Sequence, residues 1–78
     1  MKTMTCEQLG GACDLALHGD TADQVIQQQD KHLKEVVAGG DEAHKDALNA
    51  MKARWKNPIK GLGWYRDTKR RFADLPED

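Results

Sequence analysis

The chain has 78 residues, 38% of them apolar and 32% charged, with a formal net charge of −1. That length suits one domain, residues 1–78, and is too short for two, while the composition is polar but not that of a disordered chain. No apolar run approaches the roughly 18 residues of a membrane span. The opening Met1-Lys2-Thr3-Met4-Thr5 has no apolar h-region of a secretory signal, so a cytoplasmic setting with reduced thiols is expected.

In residues 3–6 and 13–18, Met4, Cys6, Cys13, Leu15 and Leu17 alternate with Thr3, Thr5, Asp14, Ala16 and His18 and share one face. This period-2 pattern predicts a β-hairpin whose inward face carries both cysteines, with Gly10-Gly11 as its turn. Thr21-Ala22-Asp23-Gln24 has the form of a capping box and predicts a helix from Ala22 to Val37. Ala22, Val25, Ile26, Leu33, Val36 and Val37 form its apolar stripe, with His32 at the stripe's edge. Gly39-Gly40 should end it, and Asp41 should cap a second helix from Glu42 to Lys56. On that helix His44, Ala47, Leu48, Met51 and Trp55 share one face, so Trp55 is expected in the core. Pro58 to Gly63 reads as a loop, and Trp64 to Ala73 as a short basic helix. The expected fold class is α+β: an N-terminal β-hairpin packed on two or three helices, with a zinc-finger-like ββα start. Residues 1–38 hold the hairpin and first helix, and 41–73 form a helical, basic and aromatic part.

A core of this size supplies only ~3–5 kcal/mol, so a staple is expected: a disulfide, a metal or a partner subunit. Cys6 and Cys13 on a hairpin and His32 on the following helix, spaced Cys-x6-Cys-x18-His, follow the logic by which a zinc finger gathers distant ligands. Thiolate sulfur and imidazole nitrogen are the donors zinc prefers in a tetrahedral array. The same cysteines also suit small buried hydrophobes or a disulfide, and His32 suits a hydrogen-bonded structural role.

Residues Met1 to Asp14, with both cysteines and the glycine pair, then Gly19-Asp20-Thr21 and the Lys31-His32-Leu33-Lys34-Glu35-Val36 stretch, resemble an uncharacterised prokaryotic family described as predicted small metal-binding proteins. The resemblance covers roughly residues 1–38 and implies a small fold with a metal site and no known reaction. Members of that family often carry a second histidine where this chain has Val37, which cannot ligate. His44, just past the glycine turn, is the best replacement; His18 ends a strand on the outward face and ranks lower. The expected ligands are Cys6, Cys13 and His32, with His44 or else water in the fourth position, around Zn2+ or another divalent transition metal in a structural role.

Charge is distributed unevenly. Residues 1–51 sum to −5, residues 52–71 to +7 and the last seven to −3, and all four aromatic residues lie in or beside the basic block. Cations mixed with rings suit single-stranded nucleic acid or a partner protein, with Arg54, Lys60, Trp64, Arg66, Lys69, Arg70 and Arg71 as the contacting set. An anionic membrane surface would suit the same mix. Core packing competes with these readings, and the acidic first half opposes binding to a polyanion. A homo-oligomer is also open. The chain contains no serine, no P-loop and no His-Glu-x-x-His, so a non-enzymatic role is expected. A Cys–His nucleophile pair from Cys6 or Cys13 with His32 is conceivable, but 78 residues are expected to leave little room for a pocket of ~300 Å³.

Overall fold

A computed structural model describes all residues, 1–78, as a two-stranded antiparallel hairpin followed by three helices. Strand β1 spans Lys2–Thr5 and β2 spans Ala16–Gly19, with Met4 opposite Leu17 and both buried. Helices α1 (Ala22–Ala38), α2 (Lys45–Lys56) and α3 (Pro58–Ala73) follow. The α+β architecture is the one expected, and no helix is long and apolar enough to cross a membrane.

The hairpin differs from expectation in its connection. The strands end at Thr5 and begin again at Ala16, and the cysteines lie in the ten residues between them. This segment does not make a tight turn. It folds through a 3-10 turn at Glu7–Leu9 and a left-handed Gly10 at φ 96°. Thr5 and Gln8 fasten the turn reciprocally: the Thr5 N–H donates to Gln8 Oε1 (2.8 Å) and the Gln8 N–H to Thr5 Oγ1 (3.2 Å). Leu15, expected inside, is 44% exposed because it precedes β2 on the loop's outer side.

Helix α1 begins as its sequence implies. Thr21 Oγ1 accepts from the Gln24 N–H at 3.3 Å, while Gln24 Oε1 reaches past the cap residue to the Asp20 N–H at 2.6 Å. Its end is a Schellman motif, with Gly40 left-handed at φ 97° and N–H bonds from Gly40 to Val37 O (3.0 Å) and from Asp41 to Val36 O (3.0 Å). Ala22, Val25, Gln29 and Leu33 form the buried face.

Two expectations on the C-terminal half are corrected. Helix α2 starts at Lys45, not Glu42, because Asp41 first organises a turn by accepting the His44 N–H at 3.3 Å. The expected loop at 58–63 is the first part of α3. Asn57 Oδ1 accepts from the N–H groups of Ile59 (3.2 Å) and Lys60 (3.3 Å), and Pro58 stands at the first helical position, where its missing N–H costs nothing. Gly61 then lets α3 approach α2: a Cβ there would stand 2.5 Å from Arg54 O. The sharp turn at Asn57-Pro58 leaves Trp55 70% exposed, not in the core.

The interior has two parts. Met4, Leu9, Leu17, Ala22, Val25 and Phe72 join the hairpin to α1 and α3, with Trp64 packed against them. Cys6, Leu33, Ala47, Leu48 and Met51 join the connection to α1 and α2, with Cys13 and Val37 alongside. Each large apolar side chain so buried contributes roughly 1.5–3 kcal/mol. Tyr65 ties α3 to α1 by donating its hydroxyl to Asp23 Oδ1. Lys2 Nζ caps the carbonyl end of α3 through Phe72 O (3.2 Å) and Ala73 O (2.9 Å), complementing the helix dipole.

Candidate metal centre

The second interior part contains a polar centre. One donor atom each from Cys6, Cys13, His32 and His44 lies within 4.8 Å of all the others. Cys6 and Cys13 come from the β1–β2 connection, His32 from the middle of α1, and His44 from the turn before α2. Cys6 and His44 are buried, and Cys13 and His32 half-buried.

The connection holds the sulfurs in place through its backbone. Cys6 N–H donates to Leu15 O (2.9 Å) and Glu7 N–H to Cys13 O (2.9 Å), extending the hairpin ladder past the strands and setting the two cysteines side by side. Cys6 O accepts from the N–H groups of Leu9 (3.1 Å) and Gly11 (2.8 Å). Gly11 passes directly over the centre: a Cβ there would lie 2.1 Å from Cys6 Sγ. Only glycine fits at that point, because of space and not of φ.

Gln29 supports Cys6 from below. It is buried, and its Nε2 donates to both Cys6 O (3.2 Å) and Cys6 Sγ (3.2 Å). This residue escapes the sequence reading, although a signal exists. Position 29 lies midway between Val25 and Leu33 on the buried face, where a polar side chain needs a hydrogen-bonded purpose.

His44 is the most informative member. It is 4% exposed, and its Nδ1 lies 2.8 Å from Asp41 Oδ2. A carboxylate can only accept, so Nδ1 carries a proton, and the neutral form of the ring presents a lone pair at Nε2. That Nε2 is buried with no hydrogen-bond partner. A buried acceptor left unmatched costs about 1–3 kcal/mol, and coordination to a cation removes that cost. The carboxylate–histidine pair is the outer arrangement that orients an imidazole toward a metal. Desolvation pushes the Asp41 carboxyl up, but hydrogen bonds from the His44 ring and N–H prevail and hold it below the ordinary carboxylate range.

His32 Nε2 stands 3.3 Å from Cys13 Sγ, and the two imidazole rings meet edge to face with centroids 5.1 Å apart. A backbone hydrogen bond at Leu15 favours the Cys13 thiolate, yet burial and the adjacent Cys6 outweigh it and raise the thiol above its usual value. A cation held between the sulfurs would reverse that balance. Ligand edges of a tetrahedral site with two sulfurs and two nitrogens are roughly 3.3–3.8 Å, so donors within 4.8 Å of one another would have to close by about 1 Å to hold such an ion. Both cysteines are free thiols and not a disulfide. Two thiolates and two neutral imidazoles around a divalent ion sum to zero charge, which suits a half-buried site.

The four expected ligands therefore converge, whereas His18 lies on the outer hairpin face with its Nδ1 2.9 Å from Thr3 Oγ1. The expected basic set is distributed along α2 and α3 and does not form one cluster of free groups. Arg54 stacks on Trp64 (4.1 Å) and Lys69 on Tyr65 (5.6 Å), while Arg71 donates to Gln8 O (3.1 Å) and pairs with Asp67 (3.4 Å). Lys60, Arg66 and Arg70 are exposed. The expectation of no sizeable pocket is corrected: a groove of about 450 Å³ lies between the three helices, and it touches the metal centre's surroundings only at Gln29 and Met51. No family model, curated protein or solved structure matches this chain.

Proposed function

We propose that this chain is a small metal-binding protein in which Cys6, Cys13, His32 and His44 hold one zinc ion in a structural, non-catalytic role. The observation that carries the reading is the unpartnered, buried Nε2 of His44, within 4.8 Å of the other three donors and oriented by Asp41. A tetrahedral set of two sulfurs and two nitrogens favours zinc, and four protein ligands close the site against substrate. The resemblance of residues 1–38 to a small metal-binding family agrees with it, with His44 supplying the donor that Val37 lacks. The ion's work in this reading is mechanical. It joins the β1–β2 connection, α1 and α2 at one point, in a domain whose core is small.

Cobalt(II) titration of the reduced chain tests the proposal. One equivalent should give tetrahedral absorption with a thiolate charge-transfer band, and zinc should displace it. His44→Ala and His32→Ala should each abolish the tetrahedral spectrum. An octahedral spectrum, or a His44→Ala protein indistinguishable from wild type, contradicts the four-ligand site.

A further inference from the structure

The groove between the helices is separate from the metal centre and has its own chemistry. Its walls are apolar, from Ile26, Met51, Trp55, Leu62 and Trp64, and its volume of about 450 Å³ lies within the range of small-molecule sites. One cation lines it. Arg54 is only half-exposed, its guanidinium 4.1 Å above the Trp64 ring. The guanidinium forms neither a hydrogen bond nor a salt bridge with any group of the chain, and burial alone lowers its pKa. The one acid lining the groove, Asp30, is engaged with Lys34 at 3.1 Å.

A guanidinium partly withdrawn from water with no anion beside it is an unmatched charge. Its planar fork matches a carboxylate through two parallel hydrogen bonds, and its stacking on Trp64 fixes the plane of that fork. Lys52, Lys56 and Lys60 are exposed nearby in the sequence and favour an anion further. They also oppose a second copy docking through the same basic face. The apolar walls require a ligand with a nonpolar body. Trp55, 70% exposed, leaves the groove open on one side for entry.

We propose that this groove binds a small anionic amphiphile, its carboxylate paired with Arg54 and its apolar body lying between Trp55, Leu62 and Trp64.

The test is a titration of the 15N-labelled full chain, as purified, with octanoate and in parallel with indole-3-acetate, followed by amide chemical shifts. Octanol and octylammonium are the neutral and cationic controls. Saturable shifts confined to α2, α3 and the facing part of α1, with either carboxylate, support the proposal; which one binds more tightly distinguishes an aliphatic from an aromatic body. Octanol and octylammonium should bind at least about 10-fold more weakly, and Arg54→Met, which keeps the aliphatic stack on Trp64, should weaken carboxylate binding by about 10- to 100-fold. Lys31→Met, at an exposed lysine outside the groove lining, should leave it within about 2-fold. The proposal is overturned if neither carboxylate gives saturable shifts. It is equally overturned by octanol binding as tightly as octanoate, by Arg54→Met leaving affinity unchanged, or by the groove proving occupied by a second copy in sedimentation. Binding only of an acidic amphipathic peptide, with no small carboxylate competing, assigns the groove to a protein partner and overturns it too.

Discussion

Replacing Gly11 with alanine perturbs the candidate metal centre through a single methyl group. That Cβ would lie 2.1 Å from Cys6 Sγ, 2.8 Å from Gln29 Nε2 and 3.0 Å from Cys6 O. Carbon and its nonbonded neighbours settle at about 3.5–4.0 Å, so the sulfur or the loop must retreat by roughly 1.5 Å. Metal–ligand distances tolerate only about ±0.2 Å. The metal-free protein should lose about 1–3 kcal/mol from overpacking, and zinc affinity should fall at least about 100-fold, beyond the effect of an outer-shell change. Gly10→Ala is the control. It meets nothing within 4 Å but sits at φ +96°, so it should cost about 1–2 kcal/mol in backbone strain and leave affinity for zinc unchanged. The assays are competition for zinc against a chromophoric chelator and thermal melting with and without chelator. If Gly11→Ala holds zinc as tightly as wild type with the same cobalt spectrum, Cys6 Sγ is not a ligand in this geometry and the reasoning fails.

Asp41→Asn should weaken zinc binding by about 10- to 100-fold while leaving the tetrahedral cobalt spectrum in place, since it alters only the orientation and basicity of His44; competition titration reads this directly. Gly61→Ala and Gly63→Ala should move stability in opposite directions in urea unfolding: the first loses about 1–3 kcal/mol against Arg54 O, and the second, open to space within α3, gains about 0.5–1 kcal/mol. The Asp23 hydrogen bond, with burial and the Asp23 charge, raises the Tyr65 pKa above its ordinary 10.0. The stability it contributes is fully present below pH 10.0 and is lost as pH rises through the folded value, so Tyr65→Phe should flatten the alkaline fall in stability that wild type shows. Trp55→Ala should change stability by under about 0.5 kcal/mol because the ring is 70% exposed, whereas Trp64→Ala should cost several times more; differential scanning calorimetry decides between them.

The features legible in the sequence are those governed by local rules. The Thr21 cap, the period of α1 and the Gly39-Gly40 stop depend on neighbours within a turn or two, and their places agree with the structure. His44 was legible because a glycine stop between two helical stripes forces the chain back on itself. The misread positions depend on contacts that spacing does not encode. Cys6 and Cys13 look like strand residues because their alternation continues that of Met4 and Leu17, but the Thr5–Gln8 pair diverts the chain into a turn first. By spacing Pro58 reads as a stop, although proline directly after an asparagine is also a helix start, and Asn57 performs that capping role. Trp55 has the correct period for the core, yet α2 ends one residue later, at Lys56, and α3 departs before covering it. Gln29 and Gly11 required knowing what lies across the fold from them.

Native mass spectrometry of the chain purified without added metal or chelator, paired with elemental analysis, tests the central claim most directly. The account predicts one zinc ion per chain, bound with loss of two thiol protons, and a melting temperature that falls when chelator removes it. A metal-free chain, unable to take up one equivalent of zinc and melting identically with zinc or chelator, would contradict it and leave Cys6, Cys13, His32 and His44 as core residues that meet without a ligand.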